Sequence, residues 1–340
     1  MVPANDSTTI AERLLGGDRA ALARLISWAE NGHPGFPEAI ARLWPRVGRA
    51  WRIGITGPPG AGKSTLTNEL VAALRGAGKT VGVLAIDPSS PFTGGALLGD
   101  RIRMEERTAD EGVYIRSMAS RDSHGGLARA ASDACDVMDA FGFDVILLET
   151  VGVGQAEYEV VSAADSVVVV LCPGAGDGIQ AMKAGILEVA DVLVVNKADL
   201  EGADQLQIDL EDALRLRTIR AAERDAGWDV PVVAVSALRA TGFDELRSAL
   251  ERHRVAMEGP AGEAGPNVDK RLEKRALQVR RVVSEKLQER LWGPTGYTER
   301  VESSLAKSHT PYDVAVEILS LLDQPEHVRS AASPSAHTES

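Results

Sequence analysis

Apolar positions along the chain follow three regimes. Over residues 7–49 they recur at helical spacing: Ile10, Leu14 and Leu15, then Ala21, Leu22, Leu25, Ile26 and Trp28. Pro34 and Pro37 punctuate this stretch, and a further helical piece covers 40–47. Beyond residue 50, short and almost unbroken runs of Val, Ile and Leu alternate with helical stretches. The runs at 51–56, 80–86, 113–116, 144–149, 166–172, 191–195 and 231–235 are strand candidates. Strands that are apolar throughout have both faces covered, so the pattern predicts an α/β fold, a mostly parallel sheet flanked by helices. The third regime follows the Gly/Pro-rich run from Glu258 to Pro266, a linker by composition. A long helix is expected over 267–291, with Leu272, Ala276, Val279, Val283 and Leu287 three and four residues apart, and shorter ones over 298–307 and 311–322. Four parts result: an N-terminal helical extension (1–49), a sheet domain (50–258), a C-terminal helical arm (267–323) and a tail (324–340) whose Ser/Ala/Pro composition reads as disordered. The arm is too short to enclose a core of its own. Its apolar seam must pack on the main domain, on the N-terminal helices or on a second copy of the chain.

The first strand candidate runs into Gly57-Pro58-Pro59-Gly60-Ala61-Gly62-Lys63-Ser64-Thr65. Every fixed position of the phosphate-loop pattern G-x-x-x-x-G-K-[ST] is filled, and a helical pattern follows over 64–77 with Leu66, Leu70, Ala73 and Leu74 on one face. Glycines let backbone N–H groups turn inward around a phosphate, and a helix N-terminus adds partial positive charge. Lys63 is expected to reach the β- and γ-phosphates, and the Ser64 hydroxyl to ligate Mg2+. A plain strand-to-helix turn would need neither the lysine nor the hydroxyl.

A second element selects the base. The strand candidate 191–195 ends in Asn196-Lys197-Ala198-Asp199, the pattern N-K-x-D. Guanine offers two neighbouring donors, N1–H and the 2-amino group, and the Asp199 carboxylate can accept both. Asn196 can bond the base edge or brace the loop, and the Lys197 stem can cover the base face. The next strand candidate ends in Ser236-Ala237-Leu238, placed to offer a backbone N–H to guanine O6. GTP is therefore expected over ATP.

Carboxylates cluster at other strand ends. Asp87 precedes Pro88; Asp100 follows the run Gly94-Gly-Ala-Leu-Leu-Gly; Glu149 begins Glu149-Thr-Val-Gly152-Val-Gly-Gln155. Mg2+ keeps several waters and takes one or two protein oxygens, so Ser64 with Asp100 suffices for direct ligation. Asp87 and Glu149 are then left to hold metal-bound water or position the attacking water, with Gly152 sensing the γ-phosphate. Turn capping by Asp87 and helix capping by Asp100 are the structural alternatives. Val153, directly after Gly152, cannot orient water, so slow intrinsic hydrolysis accelerated by a partner is expected. After the strand ending at Cys172, a glycine-rich stretch carries Asp177, Gln180 and Lys183. It reads as a mobile loop beside the nucleotide or as a plain surface loop.

Composition narrows the partners. A net charge of −12 without a concentrated Lys/Arg block argues against nucleic acid. No stretch has the roughly 18 apolar residues of a membrane span. Cys135 and Cys172 sit in apolar patterns as small buried hydrophobes, which fits a reducing, cytoplasmic setting.

Taken in order, G-P-P-G-A-G-K-S, D-P-S-S-P, G-G-A-L-L-G-D-R, Ser120-Arg-Asp-Ser-His-Gly-Gly126, E-T-V-G-V-G-Q and N-K-A-D resemble the MeaB/ArgK family of P-loop GTPases within the SIMIBI class, over residues 11–322. The resemblance implies a GTP hydrolase using GTP, GDP and Mg2+, with Lys63, Asp87 and Glu149 as catalytic candidates. It implies a chaperone for an adenosylcobalamin-dependent acyl-CoA mutase, methylmalonyl-CoA mutase foremost, in which hydrolysis gates cofactor loading and protects or reactivates the mutase. It also implies a homodimer built through the C-terminal arm, an adenosyltransferase as a further partner, and a partner-coupling loop over 174–185. A kinase of a small amine or transport protein would need an acceptor pocket and base that the sequence does not offer. A metallochaperone would need His/Cys clusters, and the six histidines are scattered.

Overall fold

The computed structural model describes residues 6–87, 110–119, 126–150, 163–174, 186–221, 228–258, 266–293, 296–307 and 310–322. Seven parallel strands form one sheet in the order β3-β2-β4-β1-β5-β6-β7. They are β1 (Trp51–Thr56), β2 (Val81–Asp87), β3 (Val113–Ala119), β4 (Val145–Thr150), β5 (Ser166–Leu171), β6 (Val192–Val195) and β7 (Val232–Ala234). Central β1 pairs with β4 on one side and β5 on the other, with Ile55 opposite Glu149 and Val168. Its last residue, Thr56, faces Val169. The chain thus reverses direction across the sheet beside β1, and the carboxyl ends of β1, β4 and β5 lie side by side at one edge.

Alternation along each strand divides the core into two layers. On one face Leu84, Ile86, Ile146, Leu148, Val169 and Val195 pack with α1 (Ser7–Leu15), α2 (Arg19–Glu30), α3 (Phe36–Leu43) and α5 (Gly126–Phe141). On the other, Ile53, Ile55, Val83, Leu147, Val168 and Val194 pack with α4 (Lys63–Gly76) and α7 (Phe243–Glu258). Helix α6 (Ala203–Ala221) contributes Leu210 to the first layer. The N-terminal helices belong to the same core as the sheet: Ile10, Leu14, Leu22, Leu25 and Ile26 are fully buried there. Burying each such side chain contributes about 1.5–3 kcal/mol. Edge strand β3 extends past the expected 113–116 because Arg116 and Ser117 pair with Leu84 and Ala85 of β2. Arg116 interrupts the apolar run, yet its guanidinium is useful inside, donating to Ser27 Oγ and Glu30 Oε2 of α2, both at 3.0 Å.

Charges are buried near the amino ends of the strands. The Arg52 guanidinium donates to Asp136 at 2.6 Å and to Asp139 at 3.2 Å. Asp139, almost fully buried, also accepts from the backbone N–H groups of Gly48 (2.7 Å), Arg49 (3.1 Å) and Ala50 (3.0 Å). Helix α8 (Pro266–Trp292) enters this network through its first turns. Arg271 grips both oxygens of Asp165 at 2.8 and 2.7 Å, and Arg275 grips both oxygens of Asp136 at 2.7 and 2.5 Å. Burial alone would raise the Asp136 carboxyl; the charges and hydrogen bonds of Arg52 and Arg275 outweigh it and hold the group below the ordinary carboxylate value. Asp165 is lowered in the same way, by Arg271 and the Arg52 N–H against burial. Cys135, beside this cluster, has its thiol pushed up to about 12 by burial, as an inert core residue should.

Residues 1–275 form one compact unit and 276–340 a second, so the division falls within α8. In the second unit, α9 (Thr298–Ala306) and α10 (Pro311–Leu322) are joined by the Arg300–Glu317 pair at 2.8 Å, and Val314 and Ile318 are buried. Val279, Val283 and Leu287 on α8 and Val316 and Leu319 on α10 are exposed.

The charge network generates an acid-stability expectation. A carboxyl whose folded value is lowered contributes stability that is complete above its unfolded value and lost as pH falls through the folded value. Asp136→Asn should therefore cost on the order of 3 kcal/mol at neutral pH. The difference from the parent should begin to shrink below about pH 4, where the unfolded carboxyl takes up its proton, and be lost as pH falls through the lower folded value. Urea denaturation from pH 7 to pH 3 checks this; a gap constant over that range contradicts it.

Candidate nucleotide-binding site

The turn after β1 depends on two glycines. Gly57 has φ +145°, and a Cβ there would lie 2.0 Å from the Val170 carbonyl oxygen of β5. Gly62 has φ +86° and caps α4; a Cβ there would lie 2.4 Å from Asn196 Nδ2. No other residue type fits either place without moving backbone or a buried amide. The loop between them wraps the Lys63 ammonium, which donates to the carbonyls of Gly57 at 2.7 Å and Pro58 at 3.0 Å. Lys63 is buried, so its cation sits in surroundings where charge interacts strongly. Thr65 lies in the first turn of α4, and Cys172, one residue past β5, has its sulfur 3.9 Å from the Gly60 carbonyl.

Beside the loop, the Ser64 hydroxyl donates to Glu149 Oε1 at 2.5 Å. Strand pairing brings them together, since Glu149 stands opposite Ile55 at the carboxyl end of β1. Glu149 is buried, with Thr150 beneath it donating to Thr56 Oγ1 at 3.1 Å. A hydroxyl and a carboxylate oxygen in contact are the hard donors that a small divalent cation takes alongside phosphate oxygens and water. Asp87 ends β2 one residue past the pairing of Ile86 with Thr150, at the same sheet edge. The Asp87 side chain, Asp100, Gly152, Asp177, Gln180 and Lys183 lie outside the described residues.

The base-selecting elements meet the phosphate loop through one residue. Asn196 Nδ2 donates to the Ala61 carbonyl at 2.8 Å, while its Oδ1 accepts from the Ala237 N–H at 3.3 Å. Of the two roles open to Asn196, the structure has it bracing loops, and the Ala237 N–H is directed to it. Lys197 takes φ +58° and donates from Nζ to the Gly60 carbonyl at 2.7 Å, so its stem runs back over the phosphate loop. The Ser236 hydroxyl donates to Asp199 Oδ1 at 2.5 Å. That hydrogen bond is the main reason the Asp199 carboxyl is held below its ordinary value. One Asp199 oxygen is thereby fixed, and the carboxylate stays ionised as an acceptor. Leu238, next along, is 87% exposed, an uncovered apolar side chain beside the carboxylate that the pattern assigns to the base.

A phosphate loop on the central strand, a buried lysine within it, a Ser–Glu oxygen pair beside it and N-K-x-D tied to S-A-L define the class: a P-loop GTPase on a parallel α/β sheet. The family model described as methylmalonyl Co-A mutase-associated GTPase MeaB matches residues 22–295, and the chain belongs to that family. A GTPase of Pyrococcus abyssi is 49% identical over 275 residues, covering 81% of this chain and 83% of that one. GTPase ArgK of Escherichia coli is 36% identical, covering 74% and 78%. The methylmalonic aciduria type A homolog of mouse mitochondria is 36% identical, covering 72% of this chain and 62% of its own length. Among solved structures, a LAO/AO transport system kinase superposes with TM-score 0.70 at 24% identity, covering 95% of this chain and all of that one, which speaks to the fold. No described helix is long and apolar enough to cross a membrane.

Removing the bridge should loosen both halves of the site together. Asn196→Ala leaves the Ala61 carbonyl and the Ala237 N–H without their partner, each costing about 1–3 kcal/mol. GDP affinity, measured by calorimetry, should fall by at least about tenfold while far-UV circular dichroism is retained. Unchanged affinity would mean that the two loops hold their places independently.

Proposed function

We propose that this protein hydrolyses GTP to time the loading of adenosylcobalamin into an acyl-CoA mutase, methylmalonyl-CoA mutase foremost, and to protect or reactivate that mutase. The observation that carries the reading is the match to a mutase-associated GTPase family over most of the chain, including every nucleotide motif. The geometry supports the nucleotide part. Asp199, ionised and steadied by Ser236, accepts from guanine N1–H and the 2-amino group. The loop 57–65 cradles the phosphates, and Lys63 leaves the Gly57 and Pro58 carbonyls to neutralise them.

Ser64 and Glu149 would hold Mg2+ together with phosphate oxygens and water, with Asp87 and Asp100 as further carboxylates for metal-bound or attacking water. A bound Mg2+ supplies charge neutralisation on the transferring phosphoryl group. The chain's own part is positional: backbone N–H groups and Lys63 fix the phosphates, while Glu149 orients a hydroxyl or water proton at the γ-phosphate end. Gly152 and the loop carrying Asp177, Gln180 and Lys183 answer to the γ-phosphate and present the nucleotide state to the mutase. The exposed apolar positions on α8 and α10 support a homodimer through the arm, and an adenosyltransferase is the expected cobalamin donor. A cytoplasmic setting accords with these partners.

Asp199→Asn turns one acceptor into a donor facing guanine's donors. GTP affinity should drop by about 1–3 kcal/mol, and xanthosine triphosphate should become the better ligand. Competition binding with both nucleotides checks this; an unaltered preference removes the base assignment.

The chaperone reading is tested by GTP turnover with and without an adenosylcobalamin-dependent acyl-CoA mutase from the same cell. The mutase should raise turnover by tenfold or more, on the scale at which partners stimulate slow GTPases. Lys183→Ala should reduce that stimulation and leave basal turnover unchanged. A mutase that neither binds nor stimulates leaves a GTPase with a different partner.

A further inference from the structure

At the amino edge of the sheet lies a recess of about 240 Å³ that the nucleotide chemistry does not use. Arg49 precedes β1, Lys79 precedes β2 and Asp144 precedes β4, so the recess sits where these three strands begin. The carboxyl-edge nucleotide site is a strand length away, roughly 20 Å for the six residues of β1. Four cations line the recess, Arg46, Arg49, Lys79 and Arg254, against two carboxylates, Asp139 and Asp144.

Asp139 is committed to other partners, while Asp144 keeps its charge facing the recess. Against burial, hydrogen bonds from Thr80 and the charges of Lys79 and Arg254 hold the Asp144 carboxyl below the ordinary value, so three cations exceed the one uncompensated carboxylate. Asp139 accepts from three backbone N–H groups and from Arg52. Asp144 accepts from the Thr80 N–H at 2.8 Å and from the Thr80 hydroxyl at 2.9 Å. Arg254 pairs with Glu258 at 2.8 Å and lies over the Trp51 ring, 5.3 Å from its centroid, which holds it at the rim. Among the described residues, the side chains of Arg46, Arg49 and Lys79 form no ion pair or hydrogen bond. In a chain of net charge −12, three such cations around one recess concentrate positive potential against the general trend.

We propose that this recess binds a small phosphate-bearing anion, a phosphate monoester or diphosphate, held by Arg46, Arg49 and Lys79. Guanidinium groups match phosphate oxygens in pairs, and Lys79 adds a point charge. The recess is open to solvent between the strand ends, and its volume has room for a compact anion that the exposed guanidinium groups of Arg46 and Arg49 can reach.

The test titrates inorganic pyrophosphate, by calorimetry, into full-length protein saturated with a non-hydrolysable GTP analogue, so that the phosphate loop is occupied. A saturable isotherm that weakens as salt is raised is expected. Arg46→Ala/Arg49→Ala and, separately, Lys79→Ala should each weaken it by about tenfold or more, with affinity for the GTP analogue unchanged. Absence of saturable binding to the parent protein, or equal binding by the variants, overturns the proposal. So does binding to phosphatidic-acid vesicles without binding to pyrophosphate, which would mark a flat basic surface in place of a recess.

Discussion

The Asn196 amide is the contact on which the site's unity depends. It joins the Ala61 carbonyl of the phosphate loop to the Ala237 N–H of the base-selecting loop, and it is 1% exposed, so water cannot substitute for it. Its position in turn dictates the residue across from it: at Gly62 even a methyl group would strike its Nδ2. Lys197, the next residue, accepts a left-handed backbone conformation and bonds the Gly60 carbonyl. One tetrapeptide at the end of β6 is therefore tied both to the phosphate loop and to the loop after β7, so the spacing between these elements is built into the sheet.

Much of this was legible in the sequence because it rests on local spacing. The strands at 51–56 and 191–195 and the phosphate loop between β1 and α4 fall within a residue of where apolar runs and glycines put them. N-K-x-D could be read as a base-binding element, yet its asparagine had two possible roles, and only the packing of three loops decides between them. The pairing of Ser64 with Glu149 was beyond reach for a similar reason. The sequence alone pairs Ser64 with Asp100 and leaves Glu149 to water, while adjacency of β4 to β1 puts Glu149 against the hydroxyl.

The buried charges at the other edge left no readable signal. Asp136 and Asp139 occur in a helix that periodicity describes simply as amphipathic, and Arg52 interrupts β1 as one polar residue among apolar ones. Their partners are 84 and 87 residues away in sequence. Such pairs stabilise only as a complete set, because each member alone would carry a large desolvation cost. The set includes Arg271 and Arg275, so the helix that continues into the C-terminal unit is rooted in the same charges that anchor β1.

Asp139 has one more implication. Gly48, with φ +103°, lets three successive N–H groups turn toward a single carboxylate, the arrangement by which a peptide loop captures a phosphate. The molecule therefore holds two anion cradles, one on each side of β1. The one at the carboxyl edge is built to exchange its occupant. The other is plugged for the life of the chain by a tethered guest, so the strand that carries the exchanging cradle is held at its far end by a contact that no solute can compete away.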